Sequence, residues 1–194
     1  MIGIIDYGAG NVRSVSNALG VLGVEHFVSH TIEELRRASK LILPGVGEAR
    51  SAMASLETTG IPDWIRSVSV PFLGICLGMQ LLFEHTAERE TPCFGIINGA
   101  VKRFPGNVRV PHMGWNTVTV VVEDPLFHGL QSGEFFYFIH SYYAPAEKGA
   151  IGTTNYSGDF ASAVRTRNFR GVQFHPEKSG DAGLKLLSNF ATRC

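Results

Sequence analysis

Phe72-Leu73-Gly74-Ile75-Cys76-Leu77-Gly78-Met79-Gln80-Leu81-Leu82-Phe83 is the stretch that decides the fold. An apolar run of strand character passes straight into an apolar run of helical character, with a cysteine at the join. That is the arrangement of a nucleophile elbow carrying Cys in place of Ser. So sharp a turn crowds the side chains two residues before and two after the nucleophile, and both places hold glycine, Gly74 and Gly78. Cys76 is thereby expected at a helix N-terminus, where unpaired backbone N–H groups and the helix dipole favour a thiolate. The N–H of Leu77 is expected to point at an oxyanion formed beside the sulfur.

Working outward, Met1-Ile2-Gly3-Ile4-Ile5-Asp6 is a short apolar run that stops at Tyr7-Gly8-Ala9-Gly10-Asn11, after which Val12, Val15, Leu19 and Leu22 recur at helical spacing. An extended segment around Glu25 to Ser29 precedes Thr31-Ile32-Glu33-Glu34, the pattern of a capping box. Lys40-Leu41-Ile42-Leu43 is extended again and breaks at Pro44-Gly45-Val46-Gly47, with a helix expected from Glu48 to Leu56 and a strand from Val70 to Ile75. This alternation predicts an α/β fold, a parallel sheet with helices over it. From about Asn98 to Ala163 the texture changes to short alternating or aromatic runs, Thr117 to Val122 and Phe135 to Ile139 among them, which suggest added antiparallel strands. A closing helix is expected from Asp181 to Arg193, with Leu184, Leu187 and Ala191 on one face and Leu186 and Phe190 beside them. No repeat or linker interrupts the chain, so one domain over 1–194 is expected.

Composition agrees with that size. The 194 residues are 44% hydrophobic and 18% charged, with a mean hydropathy of +0.09, enough apolar surface to offset the entropy of ordering and to exclude intrinsic disorder. Lys and Arg number 17 against 17 Asp and Glu, with no block of like charge, so nucleic acid and anionic membrane lose their electrostatic argument. The apolar stretches fall short of a bilayer span and the N-terminus lacks a signal-peptide pattern, so the chain reads as soluble and cytoplasmic. Cys76, Cys93 and Cys194 match neither a zinc ribbon nor a CxxC pair, and each is read as a thiol.

A thiolate nucleophile needs a base. Of seven histidines, His26, His30, His85, His112 and His128 have no constrained carboxylate neighbour and are read as ordinary surface residues. His175-Pro176-Glu177 differs: it follows Gly171-Val172-Gln173-Phe174, and proline disfavours a helical residue before it. An extended His-x-Glu puts both side chains on one face, so Glu177 can hold the imidazole tautomer while His175 exchanges a proton with Cys76. A second oxyanion donor is expected from the Gly47 region, where glycines on both sides of Val46 would let a peptide flip when substrate or a partner binds. The loop Gly8-Ala9-Gly10 fails the dinucleotide fingerprint because Arg13 stands where its last glycine belongs. No phosphate loop and no metal-ligand spacing occur, so no cofactor and no metal are expected.

Six segments together resemble the triad-type, class I glutamine amidotransferases over nearly the whole chain: IDYGAGN (5–11), LPGVG (43–47), GICLGMQLLFE (74–84), PHMGWN (111–116), FIHSYY (138–143) and GVQFHPEKS (171–179). The opening IDYGAGN, PHMGWN and the lysine after HPE narrow the resemblance to the glutaminase subunits of histidine biosynthesis, which work with a separate cyclase. The resemblance implies a flavodoxin-like fold. It implies that Cys76 attacks the side-chain amide of glutamine, that Leu77 and the Gly47 region stabilise the oxyanion, and that His175 protonates the departing ammonia and then activates water against the thioester. Gln80, Glu88 and the backbone around His140, Ser141 and Tyr142 would hold glutamine. Asn11, Met113, Trp115, Tyr137 and Lys178 would face the cyclase subunit, a (β/α)8 barrel, where ammonia helps make imidazole glycerol phosphate and an aminoimidazole-carboxamide ribonucleotide. On the residues alone, Trp115 and Tyr137 also suit core packing and Lys178 a solvated charge. Two other readings stay open at this point: the glutaminase of an anthranilate, guanylate or pyridoxal phosphate pathway, and a non-catalytic flavodoxin-like module with a structural or redox-active cysteine.

Overall fold

The computed structural model describes residues 1–147 and 149–194. The amino-terminal half alternates as β1 (Ile2–Ile5), α1 (Val12–Val21), β2 (His26–Ser29), α2 (Ile32–Leu35), β3 (Lys40–Gly45), α3 (Ala49–Glu57), α4 (Ile61–Arg66), β4 (Phe72–Cys76) and α5 (Leu77–Gln80). After it come β5 (Phe83–Thr86), β6 (Thr91–Pro92), β7 (Ile97–Arg103), β8 (His112–Val120), β9 (Glu134–His140), β10 (Tyr142–Pro145), β11 (Ala150–Asn155), β12 (Asp159–Thr166), β13 (Phe169–Val172) and α6 (Gly180–Arg193). Short 3₁₀ turns lie at Pro125–Phe127 and Pro176–Lys178.

Strands β2, β1, β3, β4 and β13 lie side by side and are parallel. Every residue of β1, β4 and β13 is buried, as strands covered on both faces must be. One face packs on α1 and α6 through Leu19, Leu186 and Phe190. The other packs on α2, α3 and α4 through Leu35, Leu56 and Ile65. Past β13 the pairing turns antiparallel through β12 to β10 and β11, then β8 and β9. The α/β class expected from the alternation is the one that forms. Among the described residues, no helix is long and apolar enough to cross a membrane.

Two local expectations give way. The helix after Cys76 is a single turn, because an all-apolar run has no polar side to tell a buried helix from a buried strand. The Leu81 and Leu82 carbonyls instead accept N–H groups of Phe94, Ile96 and Ile97, and Phe83 enters β5. The dipole behind Cys76 shrinks to what one turn supplies. Strand β8 ends at Val120, leaving Val121 and Val122 past it and exposed. On α6 the fully buried residues are Gly183, Leu186, Leu187, Asn189 and Phe190, while Leu184 and Ala191 pack against the core only partly buried. A Cβ at Gly183 would collide with the Pro176 carbonyl, so this close approach sets the helix's rotation.

Candidate active site

Cys76 ends β4 with φ +54° and ψ −107°, a conformation that costs a non-glycine residue roughly 1–3 kcal/mol. The surroundings enforce it. A Cβ on Gly74 would strike the Gly78 carbonyl, one on Gly78 would strike the Leu43 carbonyl, and one on Gly45 would lie 2.7 Å from the Gly78 nitrogen. Gly45 is also the register partner of Cys76 across β3 and β4. The elbow therefore closes only because three glycines meet there. Leu77 opens α5, so its N–H has no acceptor within the helix.

Beside the sulfur is a cavity of about 360 Å³ whose wall includes Val46, Gly47, Cys76, Leu77, Gln80, Glu88, His140, Ser141, Tyr142, His175 and Lys178. Every residue expected on the oxyanion and glutamine side thus borders one space. Gly47 there has φ +93°, which a side chain would resist.

His175 is 1% exposed. Its partner is reached by a route the sequence did not indicate, since Pro176–Lys178 is a 3₁₀ turn, not an extended segment. The turn brings Glu177 Oε1 to 2.7 Å from His175 Nδ1, with the Glu177 side chain fully buried. Asn11 Nδ2 donates to the same oxygen at 2.7 Å. Asn11, expected at a partner face, thus also supports Glu177 through one of its two amide N–H groups. His175 Nε2 is buried and has no hydrogen-bond partner. Burial pushes the imidazole's pKa down, but nearby Cys76 and Glu177 outweigh burial and raise it to about 10.

Two further groups touch the sulfur: Gln173 Nε2 stands 3.6 Å from Cys76 Sγ, and Sγ is 3.9 Å from the Ile139 carbonyl oxygen. Gln80, expected to hold substrate, uses its Nε2 on the Tyr142 carbonyl at 3.0 Å and on Gln173 Oε1 at 2.9 Å. With both N–H groups engaged, it has only its oxygen left for a ligand. Glu88 lines the cavity while its Oε2 accepts the Ala49 N–H at 2.7 Å, in the first turn of α3.

His112 is not a surface residue: it is 5% exposed, and its Nδ1 lies 3.0 Å from His140 Nε2. His140 Nδ1 donates to the Tyr142 carbonyl at 2.7 Å, and Asn116 Nδ2 lies 3.2 Å from His112 Nε2. Burial lowers the pKa of His112 to about 4 and that of His140 to about 3. Both stay neutral and brace the cavity wall. Their adjacency comes from the β8–β9 register, which no local sequence signal carries. Met113 and Trp115 are each 56% exposed, and Trp115 meets half-buried Tyr137 edge to face at 6.1 Å, so core packing does not describe them. Gln173 carried no site expectation in the sequence, because its contacts with Gln80 and Cys76 come from residues 93 and 97 positions away. Among the described residues, no cluster of three or more His, Cys, Asp or Glu could hold a metal.

Comparison with known proteins agrees with this geometry. Residues 3–194 match the family described as glutamine amidotransferase class-I. The chain is 48% identical to the imidazole glycerol phosphate synthase subunit HisH of Dehalococcoides mccartyi, over 98% of this chain and 96% of that protein. It is 47% identical to subunit HisH 1 of Methanococcus maripaludis, over 98% of each. A crystal structure of a glutamine amidotransferase superposes with a TM-score of 0.75 at 23% identity, covering 97% of this chain and 98% of that one, which shows the shared fold. A cysteine elbow in such a fold, matched over nearly the full length, leaves one conclusion: the chain belongs to the class I glutamine amidotransferases.

Proposed function

We infer that this chain is the glutaminase subunit of an imidazole glycerol phosphate synthase of histidine biosynthesis. One arrangement carries the reading: a cysteine held at positive φ, with a buried imidazole bearing on it, opens into a cavity of amino-acid size. The likeness to HisH subunits supports the pathway.

In this reading Cys76 is the nucleophile, His175 the acid and base, and Glu177 the group that fixes the His175 tautomer. The thiolate attacks the carboxamide carbon of glutamine, and the negative charge moves to the oxygen, met by the Leu77 N–H and an N–H of the Val46–Gly47 loop. Protonated His175 gives its proton to the leaving nitrogen, the C–N bond breaks and ammonia departs, leaving a thioester on Cys76. Neutral His175 then takes a proton from water. The resulting hydroxide attacks the thioester, and collapse releases glutamate and restores the thiolate and imidazolium pair. Gln80 Oε1, Glu88 and the His140–Tyr142 backbone position glutamine.

Ammonia released into water near neutral pH becomes ammonium, which is no nucleophile, so its use requires a sealed junction with the next enzyme. The β8–β9 ribbon offers one: Met113, Trp115, Phe135 and Ile139 expose an apolar face, flanked by Tyr137. Lys178 is exposed at the cavity rim. The partner is a (β/α)8 cyclase subunit. The test is glutamate release measured with and without such a cyclase and its nucleotide ligand, together with mass detection of a glutamyl adduct on Cys76. Stimulation by the cyclase and an adduct are expected. Glutamate release indifferent to the cyclase would sink the pathway assignment, and an adduct-free Cys76 during turnover would sink the mechanism.

A further inference from the structure

Gln80 and Gln173 form a buried pair of carboxamides beside Cys76, 5% and 0% exposed. Gln173 does not line the cavity, so its position is not explained by contact with a ligand. The orientation of each amide follows from its partner. The Tyr142 carbonyl can only accept, so the Gln80 atom 3.0 Å away is its NH2 nitrogen. That nitrogen also faces Gln173 at 2.9 Å, so the facing Gln173 atom is its oxygen. The Gln173 NH2 is thereby turned onto Cys76 Sγ at 3.6 Å.

We propose that Gln173 is a positioning residue for Cys76: its N–H holds the sulfur at the elbow and favours its anionic form, while Gln80 fixes the direction of that N–H. A donor strengthens when its acceptor is charged, and a carboxamide does not titrate, so Gln173 assists the anion without joining the proton exchange left to His175. The same N–H stabilises the sulfur as leaving group when the thioester collapses. The proposal rests on Cys76 being the nucleophile of the reading above.

The test uses the full chain with its cyclase and two variants, Gln173→Leu and Gln173→Glu. Cys76 alkylation by iodoacetamide is followed against pH, and kcat and KM for glutamine are measured separately. Gln173→Leu removes the donor: alkylation at neutral pH and kcat each fall roughly tenfold, the scale of one hydrogen bond to a charged group, with KM within about twofold. Gln173→Glu keeps an acceptor for Gln80 but sets a carboxylate beside the sulfur, so the alkylation profile moves further to high pH and kcat falls more. A purely structural role predicts the reverse order, because leucine loses the bond to Gln80 and glutamate keeps it. A wild-type alkylation profile in Gln173→Glu, or a larger loss in leucine than in glutamate, overturns the proposal. Should the leucine variant fail to bind cyclase, the glutamate variant still decides. Alkylation needs no glutamine: shifted variant profiles with no glutamate release by the unsubstituted chain would retain the proposal and end the glutaminase reading, whereas normal release by the unsubstituted chain with unshifted variant profiles would end the proposal alone.

Discussion

Cys76 and Cys93 are equally buried, each 6% exposed, yet the molecule treats the two sulfurs in opposite ways. Cys93 follows β6, is not among the positive-φ residues, and packs in the core with residues of α3 and α4. Its thiol lies 3.5 Å from the Thr91 carbonyl, and burial, with Glu88 nearby, pushes its pKa up to about 12. Cys76 sits on strained backbone between an amide donor and an imidazole, at the edge of a cavity. Exposure therefore says little about whether a cysteine reacts; the backbone angle and the polar groups aimed at the sulfur say most of it.

The widest separation should appear on deletion. Cys76→Ala should abolish glutamine hydrolysis, by roughly 10⁵-fold or more as for other nucleophile deletions, while Cys93→Ala stays within about twofold. With the cyclase proposed above, added ammonia should still drive the cyclase reaction in both variants. Full glutamine-dependent turnover in Cys76→Ala would erase the contrast. Next, His175→Ala should cost several orders of magnitude and Glu177→Gln about a hundredfold or more, read as kcat with KM little changed.

Backbone gives a third separation. Gly78→Ala must move the Leu43 carbonyl and should cost about 3 kcal/mol or more in a denaturant titration. Gly95, two residues after Cys93, has φ +65° but open space around it, so Gly95→Ala should cost only about 1–2 kcal/mol, the strain of a left-handed residue. Equal costs would show that the elbow is not sterically locked.

The smallest effects concern pH, and their signs oppose. His112 and His140 titrate lower folded than the ordinary value of 6.5, so the stability their neutral forms give is full above pH 6.5 and drains as pH falls towards 4 and then 3. His175 titrates higher, near 10, so its contribution is full below pH 6.5 and drains as pH climbs to that value. Melting temperatures across pH should therefore decline less steeply on the acid side in His112→Asn and less steeply on the alkaline side in His175→Asn.

Much of this was legible in the sequence wherever the signal is local. The apolar runs of β1, β3 and β4 and their glycine stops mark the parallel strands, and Gly74 and Gly78 mark the elbow, because each expresses a steric rule within a few residues. What stayed hidden depends on distant partners. Asn11 and Glu177 are 166 positions apart, and Gln80 and Gln173 are 93 apart. The length of α5 was invisible for another reason: with Leu77, Met79, Leu81 and Leu82 all buried, hydrophobic period carries no information.

On the β9 side, the barrier between Cys76 and the outside is one strand thick. In β9, Ile139 has its carbonyl oxygen 3.9 Å from the sulfur and is itself 37% exposed, opposite Met113 across the ribbon. A protein seated on that surface pushes on the very residue whose backbone abuts Sγ. Any message from docking to chemistry then crosses the width of a single peptide chain, and no long relay through the interior is required.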